Sequence, residues 1–199
     1  MLAKAELKAA IATKNRGLSA SPTDKTAILA AIARLEDYNP TPKPLEAPEL
    51  LAGDWRLLYT SSQELLGIDR WPLLTLGSIY QCVRPTEAKI YNIAEVSSLP
   101  FLEGLVAVAA TFEPVSDQRV NVQFERGILA LQRLADYRSP QQFIHKLQNT
   151  PKLSLLQAID FSIDRDRQQG WLEITYLDHD LRLGRGNEGS VFVLSKTHP

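Results

Sequence analysis

Three stretches of this 199-residue chain carry residue types that could do chemistry. Asp178-His179-Asp180 places two carboxylates around an imidazole, and on a strand positions i and i+2 share a face. A hard cation takes about six or more oxygen donors. No further acid stands at an interpretable spacing, so the tripeptide reads as a solvated turn before Leu181. Gly184, Gly186 and Gly189 stand in the spacing G-x-G-x-x-G, which in a strand–turn–helix context cradles a dinucleotide pyrophosphate. That context is missing. Ser190 to Ser195 is β-branched and apolar and reads as a strand, and the residues on to Pro199 hold neither a crossover nor the required acid. The glycines and Asn187 are read as a hairpin turn that needs positive φ. Cys82 is the single cysteine, so it makes no intramolecular disulfide and no multi-thiolate metal site, and its strand-like surroundings suit a small buried apolar side chain. Ser61-Ser62 and Ser97-Ser98 lack a nucleophile elbow, and His145 and His198 are isolated. The reading is no catalytic set, no metal and no cofactor: a protein that is not an enzyme.

The elements that surround these residues change character along the chain. Leu7 and Ile11 lie one turn apart in an Ala-rich helix over Leu2 to Thr13. Ser21 as N-cap, Pro22 at the first helical position and Asp24 in the first turn start a second helix, which ends near Tyr38. Ile28, Ala31, Ile32 and Leu35 form its apolar face. The proline-rich run from Asn39 to Pro48 reads as a stiff extended linker. Beyond Gly53 the period becomes two. Trp55, Leu57 and Tyr59 alternate with Arg56, Leu58 and Thr60, as do Val120, Val122 and Phe124, and Leu172, Ile174 and Tyr176, with their neighbours. Further strand-like runs are 76–83, 89–97, 105–113, 129–134, 157–163 and 191–195. A helical turn or two at Ser139-Pro140-Gln141-Gln142 interrupts them. About nine short strands in series predict an antiparallel meander, closed as a barrel or stacked as a sandwich. Residues 1–48 are the helical lead-in and linker packed on the barrel, and 49–199 the barrel, in one structural domain.

Composition narrows the partners. The formal net charge is −1 with both signs interspersed, which disfavours nucleic acid. The apolar runs are too short to span a bilayer as a helix. Lys4, Glu6 and Lys8 among alanines fit neither a secretory signal nor a transit peptide, so the expected place of action is the compartment of synthesis.

Gly53-Asp54-Trp55 opens the first strand as the G-x-W of lipocalin-like barrels does, where the Trp closes the floor under an Arg from the last strands. The C-terminal run TYLDHDLRLGRGNEGSVFVL, Thr175 to Leu194, adds to this, as do 104–112 and 120–124. Over most of its length the chain resembles the plastid lipid-associated protein (fibrillin) family, in its cyanobacterial form. The resemblance implies a mainly β, lipocalin-like (calycin) antiparallel barrel with N-terminal helices. It implies a binding protein for a lipophilic molecule, a prenylquinone, carotenoid or other lipid, in lipid homeostasis or photoprotection. It places the protein peripherally on the cytoplasmic side of a cyanobacterial thylakoid or on a lipid-droplet-like surface, with a prenyl-lipid biosynthetic enzyme as a further partner. On this reading Trp55, Leu57, Tyr59, Val122, Phe124, Ile174 and Tyr176 line the pocket. Gly53, Trp55 and either Arg182 or Arg185 close the barrel. Trp71-Pro72-Leu73-Leu74 is a loop packed on the core, a lid or a membrane-dipping tip. The alternatives are a lipocalin-like bilin lyase, disfavoured by the apolar inner face, and a lipid-surface coat whose barrel is filled by its own side chains.

Overall fold

A computed structural model describes residues 2–62, 75–97, 103–164 and 169–197. The chain opens with α1 (Leu2–Ile11) and α2 (Pro22–Glu36). The start of α2 follows from its cap: the Ser21 hydroxyl accepts from the Asp24 amide at 3.2 Å, and the Asp24 carboxylate accepts from the Ser21 amide at 3.0 Å. The proline-rich segment is less extended than its composition predicts. It holds a 3₁₀ turn at Pro44–Glu46 and the short α3 (Pro48–Leu51), which bring Leu45, Leu50 and Leu51 onto the barrel core.

The strands are β1 (Gly53–Thr60), β2 (Thr75–Arg84), β3 (Lys89–Ser97), β4 (Gly104–Pro114), β5 (Arg119–Leu131), β6 (Ala158–Ser162), β7 (Gln169–Leu177), β8 (Leu181–Gly186) and β9 (Val191–Lys196). Every pairing among them is antiparallel, in the order β4-β3-β2-β1-β9-β8-β7-β5-β6, and β4 also pairs with β5. Eight strands therefore close a lipocalin-like barrel, which decides against the sandwich, and β6 adds to the second half of β5. Closure gives the alternating apolar face an enclosed side and removes most edges. The chain is mainly β with N-terminal helices.

Two elements differ from their sequence reading. The run 129–134 is not a strand of its own; β5 continues unbroken to Leu131 because β4 pairs with it along its whole length. Gly184 and Gly186 lie in β8, not in a turn: the Gly186 backbone is extended, and only Gly189 of the three has positive φ, at 69°. The turn is confined to Asn187–Gly189. A Cβ on Gly186 would meet the Phe192 ring at 3.1 Å, so close packing and not φ favours glycine there. The helix expected near Ser139 forms as α4 (Pro140–Asn149), longer than a turn or two, with the Ser139 hydroxyl accepting from the Gln142 amide at 3.2 Å. The Trp71 loop lies outside the described residues.

Three apolar clusters hold the fold. The first fills the barrel and includes Trp55, Leu57, Val122 and Ile174. The second joins Cys82, Ile93, Leu105 and Ile128 on the outer face to α4. The third packs Leu7, Ile28 and Ile32 of the helical pair on Tyr59, Tyr176 and Val193.

Candidate functional site

The barrel floor is built on Gly53-x-Trp55. Gly53 has φ 134°, and a Cβ on it would stand 2.7 Å from Lys196 Cε. The positive φ is what favours glycine here, since the flexible Lys196 stem could move aside. Trp55 is fully buried and donates its indole N–H to Leu51 O at 2.9 Å, so α3 and β1 are locked together. The Arg182 guanidinium lies 4.9 Å from the centre of the Trp55 ring, and the Lys196 ammonium lies 5.1 Å from it. Arg182 is 1 % exposed and donates to the Gln81 side-chain oxygen. Burial pushes its guanidinium down to about 9, which leaves it a cation at neutral pH. Arg185 is not the capping arginine. It makes a two-pronged ion pair with Glu36 of α2, at 3.0 and 2.6 Å.

Among the described residues, side chains of the first cluster pack on one another beside the floor, and a void among Leu45, Val83, Ile90, Phe112, Val120 and Ile174 measures about 10 Å³, room for about one water. Of the residues expected to line a pocket, Trp55, Leu57, Val122, Phe124 and Ile174 do belong to the barrel cluster. Tyr59 and Tyr176 do not. Both lie in the cluster under α1 and α2, on the other side of the wall. The cause is local: the register shifts between Leu57 and Tyr59 on β1, and between Ile174 and Tyr176 on β7, and an irregularity of this kind turns the following side chains to the opposite face.

The larger opening is an apolar groove of about 400 Å³ between β4, β5 and β6. Val106, Val108, Gly127, Leu129, Phe161 and Ile163 line it. It exists because β5 changes partner: Arg119 to Gln123 pair with β7, whereas Arg126 to Ala130 pair with β6. Gly127 is the hinge of its shape, since a Cβ there would stand 2.4 Å from the tip of the Phe161 ring. Sequence reasoning missed this groove. The signal present was the alternation of Ile159, Phe161 and Ile163.

The groups singled out for chemistry are otherwise engaged. Cys82 is fully buried, and burial pushes its thiol far above the ordinary range. Asp178 accepts from the Tyr176 hydroxyl at 2.6 Å, from Lys4 at 2.7 Å, and from the amides of Asp180 and Leu181 at 3.0 and 2.8 Å. Asp180 accepts from Lys4 and Lys8. Burial alone would raise the Asp178 carboxyl, but these hydrogen bonds outweigh it and hold the group well below the usual range. Asp178 and Asp180 therefore clasp the β7–β8 turn to α1, with two lysines from the helix as counterions.

The family model described as PAP_fibrillin matches residues 1–195. The chain belongs to the PAP_fibrillin family. Its PAP_fibrillin relatives include a light-induced chloroplast protein of Solanum tuberosum, 35% identical over 98% of this chain and 67% of that protein. Plastid lipid-associated protein 1 of Brassica campestris is 35% identical over 90% of this chain and 62% of its own length. A chromoplast-specific carotenoid-associated protein of Cucumis sativus is 34% identical over 92% and 63%. The chain thus spans about two thirds of the length of these relatives. No solved structure matches it significantly.

Proposed function

We propose that this chain is a non-enzymatic binding protein for a lipophilic molecule of the prenylquinone or carotenoid class, working at a plastid-type or thylakoid lipid surface. The observation that carries the reading is the groove of about 400 Å³ with apolar walls between β4, β5 and β6. A flat or extended apolar ligand fits it. The names of the relatives, lipid-associated and carotenoid-associated, agree with such a ligand. Val106 and Val108 on β4, Leu129 on β5 and Phe161 on β6 lie on neighbouring strands along the groove, and Val122 and Phe124 stand further back on β5. Affinity comes from apolar area removed from water, at about 25 cal/mol per Å² before the costs of binding. Trp55 and Arg182 hold the floor and touch no ligand. The bilin lyase alternative is the poorer fit, since propionates and protonated pyrroles call for charged groups in the cup and, among the described residues, Asp164 is the one charged group lining the groove.

The test is equilibrium binding of a short-chain prenylquinone that is monomeric in water. Gly127→Leu should displace the Phe161 ring and fill the groove, and Phe161→Asp should place an unpaired carboxylate in it. Each should weaken binding by roughly tenfold or more, about 1.4 kcal/mol, while the far-UV spectrum stays native. A folded Phe161→Asp protein that binds normally sinks the groove reading.

A further inference from the structure

Leu155 and Leu156 stand side by side at the head of β6 and are 87% and 85% exposed. They are not alone: Leu131 and Leu134 at the end of β5, and Ile159 on β6, are exposed too. Scattered exposed apolar residues need no explanation, whereas a contiguous set on one flank marks an interaction surface. The charge around this set gives its partner. From Arg126 to Ser162 the chain carries five Lys or Arg against two acids, in a protein of net charge −1. Both acids are occupied, Asp160 by Arg126 at 2.6 Å and Asp136 by Arg138 at 3.3 Å. Arg133, next to Leu134, and Lys152, just before the leucine pair, are exposed.

We infer that the flank formed by the end of β5, the segment after α4 and the head of β6 docks on an anionic lipid surface, Leu155 and Leu156 entering the acyl region and Arg133 and Lys152 meeting the headgroups. Exposed apolar side chains with exposed cations close by in the chain are what an interfacial segment needs: burial supplies the attraction, and the cations favour negative lipid within a Debye length. Docking here would bring the groove that opens beside β6 toward the lipid. This inference rests on the proposed lipid association but does not need the groove to be the ligand site.

The experiment is vesicle co-sedimentation of the full chain, with phosphatidylcholine alone and with phosphatidylglycerol mixed in. Wild type should sediment with the anionic vesicles and much less with the neutral ones, and added salt should weaken the difference. Leu155→Ser with Leu156→Ser should lower the partition coefficient by roughly tenfold. These side chains are in water already, so the fold should survive, as melting will show. Arg133→Glu with Lys152→Glu should abolish the preference for anionic vesicles. Both double variants should keep binding the monomeric quinone, and a wild type that binds no quinone while still sedimenting with anionic vesicles would sink the function reading alone. Unchanged vesicle binding by the serine variant, or equal binding to neutral and anionic vesicles, overturns the inference. So does a dimer of wild type that the serine variant breaks, which would assign the flank to a second copy of this chain.

Discussion

Replacing Arg182 in two ways separates what its charge does from what its bulk does. In Arg182→Met the stem volume is kept. The cation–π contact with Trp55, about 0.5–2 kcal/mol, and the charge-assisted hydrogen bond to Gln81, about 1.5–3 kcal/mol, are lost. Against them stands the desolvation of a guanidinium that is 1 % exposed, a penalty of about several kcal/mol per buried ion. The opposing contributions are similar, so Arg182→Met should lie within about 2 kcal/mol of wild type. Arg182→Ala gives up the same interactions and also the buried methylenes, at about 0.8 kcal/mol each, and leaves a cavity beside Trp55. It should be less stable than the Met variant by about 2–4 kcal/mol. At about 2–4 °C per kcal/mol for a chain of this size, that is a gap of roughly 4–16 °C in Tm, read by circular dichroism and by Trp emission together. Arg185→Ala is the control. Its pair with Glu36 is partly exposed, 38% on the arginine side, and should be worth about 1 kcal/mol or less. If the Ala and Met variants melt together, or Met is the less stable of the two, packing is not what Arg182 contributes at the floor. If both variants also melt well below wild type, the electrostatic contacts of Arg182 are the larger effect.

Two further outcomes follow from ion pairs. The Asp178 carboxyl is held below its ordinary value, so in acid the unfolded chain takes up a proton that the native one does not. The stability from this group is full above the unfolded carboxylate range, near pH 4, and is lost as pH falls toward the folded value. Lys4→Met should flatten the acid limb of a Tm-against-pH curve and speed hydrogen exchange in α1; an unchanged acid limb would show that the clasp does not couple helix to barrel. Arg126 pairs with Asp160, which is 8 % exposed, and also donates to Leu147 O and Thr150 O at the end of α4, so Arg126→Ala should cost about 3–5 kcal/mol and loosen α4 and β6 first in hydrogen exchange; a loss under about 1 kcal/mol would refute the pinning role.

What the sequence made legible was local. Ser21-Pro22 and Ser139-Pro140 carry their caps in adjacent residues, and both helices start there. Gly53-x-Trp55 needs a positive φ and a floor to fill, and both demands are met within three residues. What was hidden depends on partners far along the chain. Tyr59 and Tyr176 lie on the helix side of the wall and not in the barrel cluster, because a bulge changes the phase of alternation without changing residue type. The glycines of β8 carry the composition of a turn, yet a Cβ on Gly186 would crowd Phe192 and one on Gly184 would crowd Leu172. The choice between Arg182 and Arg185 was settled by Glu36, from the helical lead-in. The groove follows from β5 leaving β7 for β6, which no local pattern encodes.

That change of partner leaves one strand with a neighbour on a single side. Among the described strands, β6 pairs only with β5, so its outer backbone donors and acceptors form the ladder position at which another chain's strand would add. Such edges are where aggregation starts, and short length and inward-pointing charge are two ways of blunting them. β6 has both: it is five residues long, and its central Asp160 is turned inward onto Arg126. The carboxylate that pins the strand therefore also guards it. A stranger pairing here gains few hydrogen bonds, and any slip in register would tear a buried charge from its partner. The same open edge that shapes the groove is thereby a poorer template for a second chain's strand.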